Sequence, residues 1–401
     1  MVFDLCREQV KMGHNVTVYT TDTLDKNARI NKAVSSQLSA VSHSRFSFDA
    51  EIDGIKVRYF RNLSNRLAFT QKLFLTPGFP FLLKEELKTT DIVHLQEYRT
   101  LQNVSAWQAC RERKIPYVLS AHGAILRIMG REKRKGLFDR VFGYKILQDA
   151  KKLIALTELE KNQYGEFGIE EERIEVIPNG IDLTQFASLP GKGVFRERYG
   201  LEHLPIILFL GRVHRIKGLD ILIDAFAELR REGVACRLII AGPDDGFKKG
   251  CELRVASFEL KQIDLYRREK IDRENVKKAD VIFTGMMSGE EKLSLLRDAD
   301  VTVLPSRFEN FPSVPFESLM CGTPVVVSET CGVAQMFQEA GAGYITRIND
   351  GKNLTEKIRE VLDHLQEAAI SVKKGKELIE EKLNWNIIVR NMLQVYRDCL
   401  N

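Results

Sequence analysis

The sequence predicts an α/β protein made of two doubly wound, Rossmann-like units met one after the other. Three observations carry that expectation. Short apolar runs alternate with helical stretches, which means parallel strands joined by crossover helices. The alternation breaks around residues 183–203 and then restarts. The length of 401 residues, 44% hydrophobic and 29% charged, suits two or three ordinary globular domains, each able to bury its own core.

In the first half, Val2, Phe3, Leu5, Cys6, Gln9 and Val10 recur at helical spacing, and Gly13 is a stop signal. NVTVYT (15–20) alternates like a strand, and Asp53-Gly54 between FSFDAEI and IKVRYF signals a hairpin. DIVHLQ (91–96), PYVLSAH (116–122), KKLIALT (151–157) and ERIEVIPNGID (172–182) are expected strands, with helices near 98–113, 136–150 and 158–167. In the second half LPIILFLGRV (204–213) is a buried strand, and GLDILIDAFAELRREG (218–233) is an amphipathic helix with Leu219, Leu222, Ile223 and Phe226 on one face. ACRLIIAGPD (235–244), ADVIFTG (279–285), ADVTVLP (299–305) and TPVVVSE (323–329) follow as strands. The charged segment 246–278 reads as one long exposed helix or two short ones, and 385–400 as a one-sided helix.

The expected organisation is a first domain over 1–184, a linker over 185–203, a second domain over 204–383 and a final helix over 384–401. A doubly wound domain normally opens with strand, glycine-rich turn and helix. This chain opens with the helix, so the natural protein is expected to start upstream of Met1. The alternative is a domain with a smaller sheet.

The formal net charge is +5, and all of the excess lies in residues 1–184. So modest a field suits anionic small molecules or an anionic membrane surface, and does not by itself argue for nucleic acid. The seven cysteines are odd in number, scattered and without a Cys-x-x-Cys pair, which speaks for a reducing compartment and against a disulfide frame or zinc site. No apolar run approaches the ~20 residues that span a bilayer, and no signal-peptide core opens the chain. A cytoplasmic location is expected.

Three segments could carry chemistry. In SRFENFPSVPFESLMCGTPVVVS (306–328), Glu309 and Glu317 flank a loop-to-helix junction. Ser313 is a good N-cap type and Pro315 suits the first turn. Amides at such a terminus form an anion site. A phosphate there would leave Glu317 able to accept hydrogen bonds from paired ribose hydroxyls, with Glu309 near sugar hydroxyls. On pattern alone, one capping and one solvated acid fit as well. In GRVHRIKGLD (211–220), Arg212 and Lys217 lie on a strand-to-helix turn, where cations and helix-terminal amides make a diphosphate site; the bland alternative is two solvated loop cations. In SAHG (120–123), His122 ends a strand, where a histidine can donate hydrogen bonds or move protons, although a lone histidine is more often structural.

These segments, with IPNGID (177–182), AGPDDG (241–246) and FTG (283–285), resemble the retaining glycosyltransferases of family four, with the two-domain GT-B fold and an active site in the cleft between the domains. The resemblance runs over nearly the whole chain. Its most specific element is the Glu-x7-Glu block followed by Leu-Met-Cys-Gly-Thr-Pro-Val-Val. It implies a hexosyl transfer from a nucleoside-diphosphate sugar to a hydroxyl of a glycan or lipid-linked acceptor, without metal or other cofactor. By the same likeness Glu317 is similar to the ribose-binding glutamate, and Glu309 resembles the one contacting the donor sugar. Gly211, Asn310, Phe311, Ser313 and Val314 fall in the donor site. Arg212 and Lys217 match the pair that neutralises the diphosphate, His122 matches the histidine on the transferred sugar, and main chain near Gly285 and Met286 would hold the base. Pro312 departs from the pattern, since it has no amide hydrogen to offer a phosphate.

The basic run Arg127, Arg131, Lys133, Arg134, Lys135, Arg140 and Lys145 is interleaved with Ile128, Met129, Leu137, Phe138, Val141 and Phe142. With the apolar stretch 67–84, it suits docking on an anionic membrane that carries a lipid-linked acceptor, or else is a solvated helix face over an ordinary core. Asp244-Asp245 is read as a turn and not as a metal site. Two rival functions stand beside the transferase: a non-catalytic protein or inactive fragment that keeps the fold, and a dinucleotide-dependent oxidoreductase. The second needs a Gly-x-Gly-x-x-Gly turn after a strand, and the sequence has none.

Overall fold

A computed structural model describes residues 1–24, 28–30, 39–43, 47–71, 73–128, 130–201, 204–265 and 273–401. Met129 of the basic run and residues 266–272 of the charged segment therefore lie outside the described residues. The chain divides into two compact units, Met1–Gly180 with Trp385–Asn401, and Ile181–Asn384.

The second unit is built on seven strands in the spatial order Gln262–Asp264, Val281–Gly285, Arg237–Ala241, Ile206–Leu210, Val301–Leu304, Val325–Ser328 and Tyr344–Thr346. All neighbouring pairs are parallel. A parallel sheet covered on both faces wants unbroken apolar strands, and IILFL (206–210) is buried at every position. The helix Leu219–Arg231 lays Leu219, Leu222, Ile223 and Phe226 fully into the core. Each such side chain contributes about 1.5–3 kcal/mol by leaving water.

The segment expected to be a linker is not a bare loop. Val194–Tyr199 is a helix, and Phe195 and Tyr199, one turn apart, are buried in the core of this unit. The charged segment likewise does more than form exposed helix. It gives the helix Lys248–Ser257, the edge strand Gln262–Asp264 and the helix Arg273–Lys278. That strand and the other edge strand, Tyr344–Thr346, have three residues each. Strands so short carry too little alternation to read from sequence, and they exist because a neighbouring strand offers an edge.

The first unit holds two four-stranded sheets where one parallel sheet was expected. In one, Thr17–Thr21 pairs in parallel with Ile55–Phe60, which pairs antiparallel with Ser47–Ile52, and that with Ser39–His43. The antiparallel return follows from the Asp53-Gly54 turn, whose two residues both take positive φ (51° and 78°), the twist a tight hairpin needs. In the other, Val93–Gln96, Tyr117–Ser120, Lys152–Ala155 and Ile174–Val176 lie in parallel, in chain order. The terminal helix Trp385–Leu400 belongs to this unit, burying Trp385, Ile388, Val389 and Leu393 with Leu5, Val118, Ile154 and Ile177. Among the described residues, no helix is long and apolar enough to cross a membrane.

Candidate functional site

Strand order in the second unit fixes where chemistry can occur. The chain leaves Ile206–Leu210 toward Arg237–Ala241 on one side, and later returns to its other side with Val301–Leu304. The loops beyond these two strands therefore diverge, and a crevice at the carboxyl ends of such a switch point is where open α/β sheets bind ligands. Those loops are residues 211–218 and 305–313, which hold most of the candidate residues.

The two loops are stapled together. The amide of Arg307 donates to the carbonyl of Ile216 at 2.7 Å. The Arg307 guanidinium donates to Arg215 O at 2.7 Å and forms a two-pronged pair with Asp220 at 2.9 and 2.7 Å. Burial alone would raise the Asp220 carboxyl, but Arg307 overrides it and holds the group below the usual range. Gly218, with φ +70°, starts the helix Leu219–Arg231, and a Cβ on it would stand 2.1 Å from the carbonyl oxygen of Pro305. Only glycine permits this approach.

That packing brings Lys217 and Glu309 into direct contact through Nζ and Oε1. Lys217 is 8% exposed, so it is a buried cation whose partner is this carboxylate. Glu309 is itself held by its main chain, which bridges to Cys331 and accepts from the amide of Gly332 at 2.8 Å. Arg212 is half exposed and pairs with Asp245. The two emerge together because Leu210 and Ala241, just before their loops, are partners in register. Asp244 accepts from the amides of Gly246 and Lys248 at 3.0 and 3.1 Å, capping the next turn of chain.

The junction after Glu309 opens into the helix Val314–Cys321, with Pro315 in its first turn. Ser313 sits at the N-cap but makes no side-chain capping bond, because its backbone is already helical (φ −78°, ψ −31°) where a capping serine needs an extended one. The amides of Phe311, Ser313 and Val314 find no acceptor among the described residues. They are the orphan donors expected at a helix start. The Phe311 ring stacks on Phe316 with centroids 5.0 Å apart, which pins this backbone. Asn310 is buried. Glu317, one turn into the helix, pairs with Lys292 at 2.9 Å.

Three glycines line the carboxyl edge of adjacent strands. Gly211 (φ 156°) donates to Ala241 O at 2.9 Å, and Gly242 donates to Gly285 O at 2.7 Å. A Cβ on Gly242 would lie 1.8 Å from Gly211 O, so the backbones meet here without side chains between them. Met286, just beyond Gly285, is 69% exposed.

In the first unit His122 follows Tyr117–Ser120 with φ +53°. Its Nε2 hydrogen-bonds Gln96 Oε1 at 2.6 Å, which places the ring proton on Nε2, while Nδ1 is buried and uncommitted. Burial, then the positive chain terminus, pushes its pKa down to about 4. The ring is neutral at pH 7 and offers a lone pair rather than a proton. Beside it, His94 bridges Ser120 Oγ and Tyr396 Oη, both at 2.7 Å. Burial, then His122, lowers His94 to about 3. His94, Gln96, Ser120 and His122, with Asn179, Trp385 and Met392, line one recess. The turn after His122 is set by Glu160, fully buried, which accepts from the amides of Gly123 (2.5 Å) and Leu156 (2.8 Å).

Sequence reasoning did not single out Asp245 as a partner, nor Lys292, His94, Gln96 or Glu160. Each lies tens of residues from its partner or sits within an ordinary element. The available signal was strand adjacency, which would have placed Gln96 beside Ser120. Of the basic run, Arg127 is committed to Asp139 at 2.8 Å and Lys135 to the carbonyl of Ile128, so neither is a freely solvated cation.

A family model described as "Glycosyl transferases group 1" matches residues 193–378, and one described as "Glycosyltransferase Family 4" matches residues 1–185. The D-inositol 3-phosphate glycosyltransferase of Nocardiopsis dassonvillei is 30% identical over 326 residues, covering 77% of this chain and 70% of that protein. The solved sucrose-phosphate synthase of Thermosynechococcus elongatus has a TM-score of 0.72 at 21% identity, over 99% of this chain and 92% of that one. Alr3699/HepE of Anabaena, crystallised in complex with UDP, has a TM-score of 0.71 at 16% identity, over 96% of this chain and 100% of that one. At such identities these two structures speak for the fold.

Proposed function

Because the chain belongs to the family-four glycosyltransferases of GT-B fold, the group 1 glycosyl transferases, we propose that it moves a hexosyl unit from a nucleoside-diphosphate sugar to an acceptor hydroxyl with retention of anomeric configuration and without a metal. What supports this most is the buried Lys217 in contact with Glu309, at the switch point and beside the open helix start at Ser313. A lysine has three donors. Lys217 can keep Glu309 and still donate to a phosphate oxygen. Arg212, already exposed, exchanges Asp245 for the same diphosphate. The amides of Phe311, Ser313 and Val314 complete the anion site.

In the reaction the bond from the anomeric carbon to the diphosphate oxygen breaks and the acceptor oxygen bonds to that carbon on the same face. The acceptor proton passes to the departing phosphate. Arg212, Lys217 and the amides stabilise the charge that develops on the leaving group. Glu309 orients sugar hydroxyls, Glu317 accepts from the ribose hydroxyls, and backbone near Gly285 and Met286 contacts the base. By the family likeness, His122 contacts the transferred sugar.

The acceptor side is assigned to an anionic membrane surface. Arg131, Lys133, Arg134, Arg140 and Lys145 are exposed, and so are Leu137 (62%), Val141 (45%) and Tyr144 (39%) between them. Phe81, in the helix Phe79–Glu86, is 79% exposed. Mixed basic and apolar exposure of this kind suits a headgroup interface. Sedimentation with phosphatidylglycerol vesicles, but not phosphatidylcholine vesicles, checks it; equal recovery with both defeats it.

Thermal-shift screening of UDP, GDP, ADP and CDP identifies the nucleotide, since a ligand that binds only the folded state raises the melting temperature. The Anabaena complex makes UDP the first to try. With the matching sugar donor, Arg212→Ala or Lys217→Ala is expected to lower turnover by orders of magnitude, an electrostatic contact of this kind being worth ~3–4 kcal/mol. Near-normal rates in either variant refute the role. Chelator should leave activity unchanged, and a loss reversed by magnesium would count against the metal-free reaction.

A further inference from the structure

Glu317 does not stand alone. Lys292, on the helix Gly289–Asp298, places Nζ 2.9 Å from its Oε2 across 25 residues of sequence. Both side chains are largely withdrawn from water, the lysine 23% and the glutamate 17% exposed. The adjacent Glu291 does not compete for this cation, since it takes the hydroxyl of Tyr199 at 2.6 Å and Arg198 at 3.4 Å. One turn further along the helix, Leu295 and Leu296 are fully buried. Packing alone would therefore be served at position 292 by an apolar side chain. A half-buried ammonium is costly unless a carboxylate offsets it.

We infer that Lys292 is a positioning residue for the donor nucleotide: it holds the Glu317 carboxylate in one orientation, ready to receive the ribose hydroxyls. The inference rests on the donor-site reading above. An ionised carboxylate has about four lone-pair positions. Lys292 occupies one on Oε2, and Oε1 has no protein partner among the described residues, so two hydroxyls can still be accepted. Without Lys292, Glu317 would have to be ordered by the nucleotide itself, and affinity for the ribose would fall.

The test uses whichever of UDP, GDP, ADP and CDP gives the largest thermal shift, together with its 2′,3′-dideoxy form, titrated calorimetrically into the full chain. Lys292→Met is expected to weaken the ribonucleotide about tenfold, the scale of one hydrogen bond to a charged group, and the dideoxy form less than twofold. In a Glu317→Gln background it should have no further effect, and Lys292→Arg should restore most of the affinity. With the sugar donor, KM should rise with the loss of affinity while kcat changes less than threefold. Unchanged affinity in Lys292→Met overturns the inference, as does equal weakening of both nucleotide forms, which would mean a direct phosphate contact or a damaged fold. If Glu317→Gln binds normally while Arg212→Ala does not, the ribose assignment fails and takes the inference with it, leaving the diphosphate site intact. If none of the four nucleotides binds the wild-type chain, the donor-site reading itself falls.

Discussion

Acid should unfold the first unit through two histidines. His94 and His122 titrate near 3 and 4 in the folded chain because burial keeps them neutral. In the unfolded chain they titrate near 6.5. Between those values the unfolded state binds protons that the folded state refuses, so stability is full above about pH 6.5 and falls as pH drops toward 4 and then 3. At pH 5 the unfolded chain is about 1.5 pH units below its histidine pKa. At about 1.36 kcal/mol per unit that is ~2 kcal/mol for each ring, or ~4 kcal/mol for both. Against the usual 5–15 kcal/mol of a folded domain the loss is large. Urea unfolding at pH 7.0, 6.0, 5.5 and 5.0, followed by tryptophan emission, measures it cleanly, since both tryptophans, Trp107 and Trp385, lie in the first unit. Near pH 5.5 the slope should correspond to about two protons taken up on unfolding. In His122→Asn, where asparagine tolerates the positive φ, it should fall to about one. A wild-type stability that is flat from pH 7 to 5, or identical slopes in the two proteins, would refute the account.

Two further outcomes follow from packing. Gly218→Ala should destabilise the second unit by ~3 kcal/mol or more, left-handed backbone strain of about 1–2 kcal/mol being added to a contact with Pro305 that cannot relax. Gly233→Ala, also at positive φ but with nothing within 4 Å of the new Cβ, should lose only about 1 kcal/mol. Thermal melts that fail to separate the two would show the clash is relieved. Asp139→Ala should cost the first unit about 3–5 kcal/mol, because it leaves Arg99, bonded to Asp139 at 2.8 Å through two nitrogens and only 11% exposed, without its counter-charge. A urea midpoint within error of wild type would contradict that.

Much of the second unit was legible in the chain, because a parallel sheet buried on both faces writes itself as unbroken apolar runs. IILFL, RLIIA and VVVS are all-buried strands at the expected positions. The first unit was harder. Its hairpin was announced by Asp53-Gly54, but whether strands on either side join one sheet or two depends on pairing between distant segments, which no local pattern encodes. The helix Val194–Tyr199 hid in an apparent linker because two aromatics one turn apart are too few to show a period. The gathering of Arg212, Lys217, Glu309 and Glu317 in one unit was an expectation from motif and order. Their partners Asp245 and Lys292 were invisible, as each ion pair joins separate elements.

The sequence by itself determined the two α/β units, the position of the Glu309-to-Glu317 junction and the residues worth suspecting, since strands, helix starts and glycine turns are set by local sterics and burial pattern. Only the tertiary structure decided which charges meet. Lys217 finds Glu309 because strand order puts Val301–Leu304 beside Ile206–Leu210, and Gly218 lets the two loops close on each other. His122 is neutral because the folded interior, and not its own chemistry, withdraws the water that would charge it.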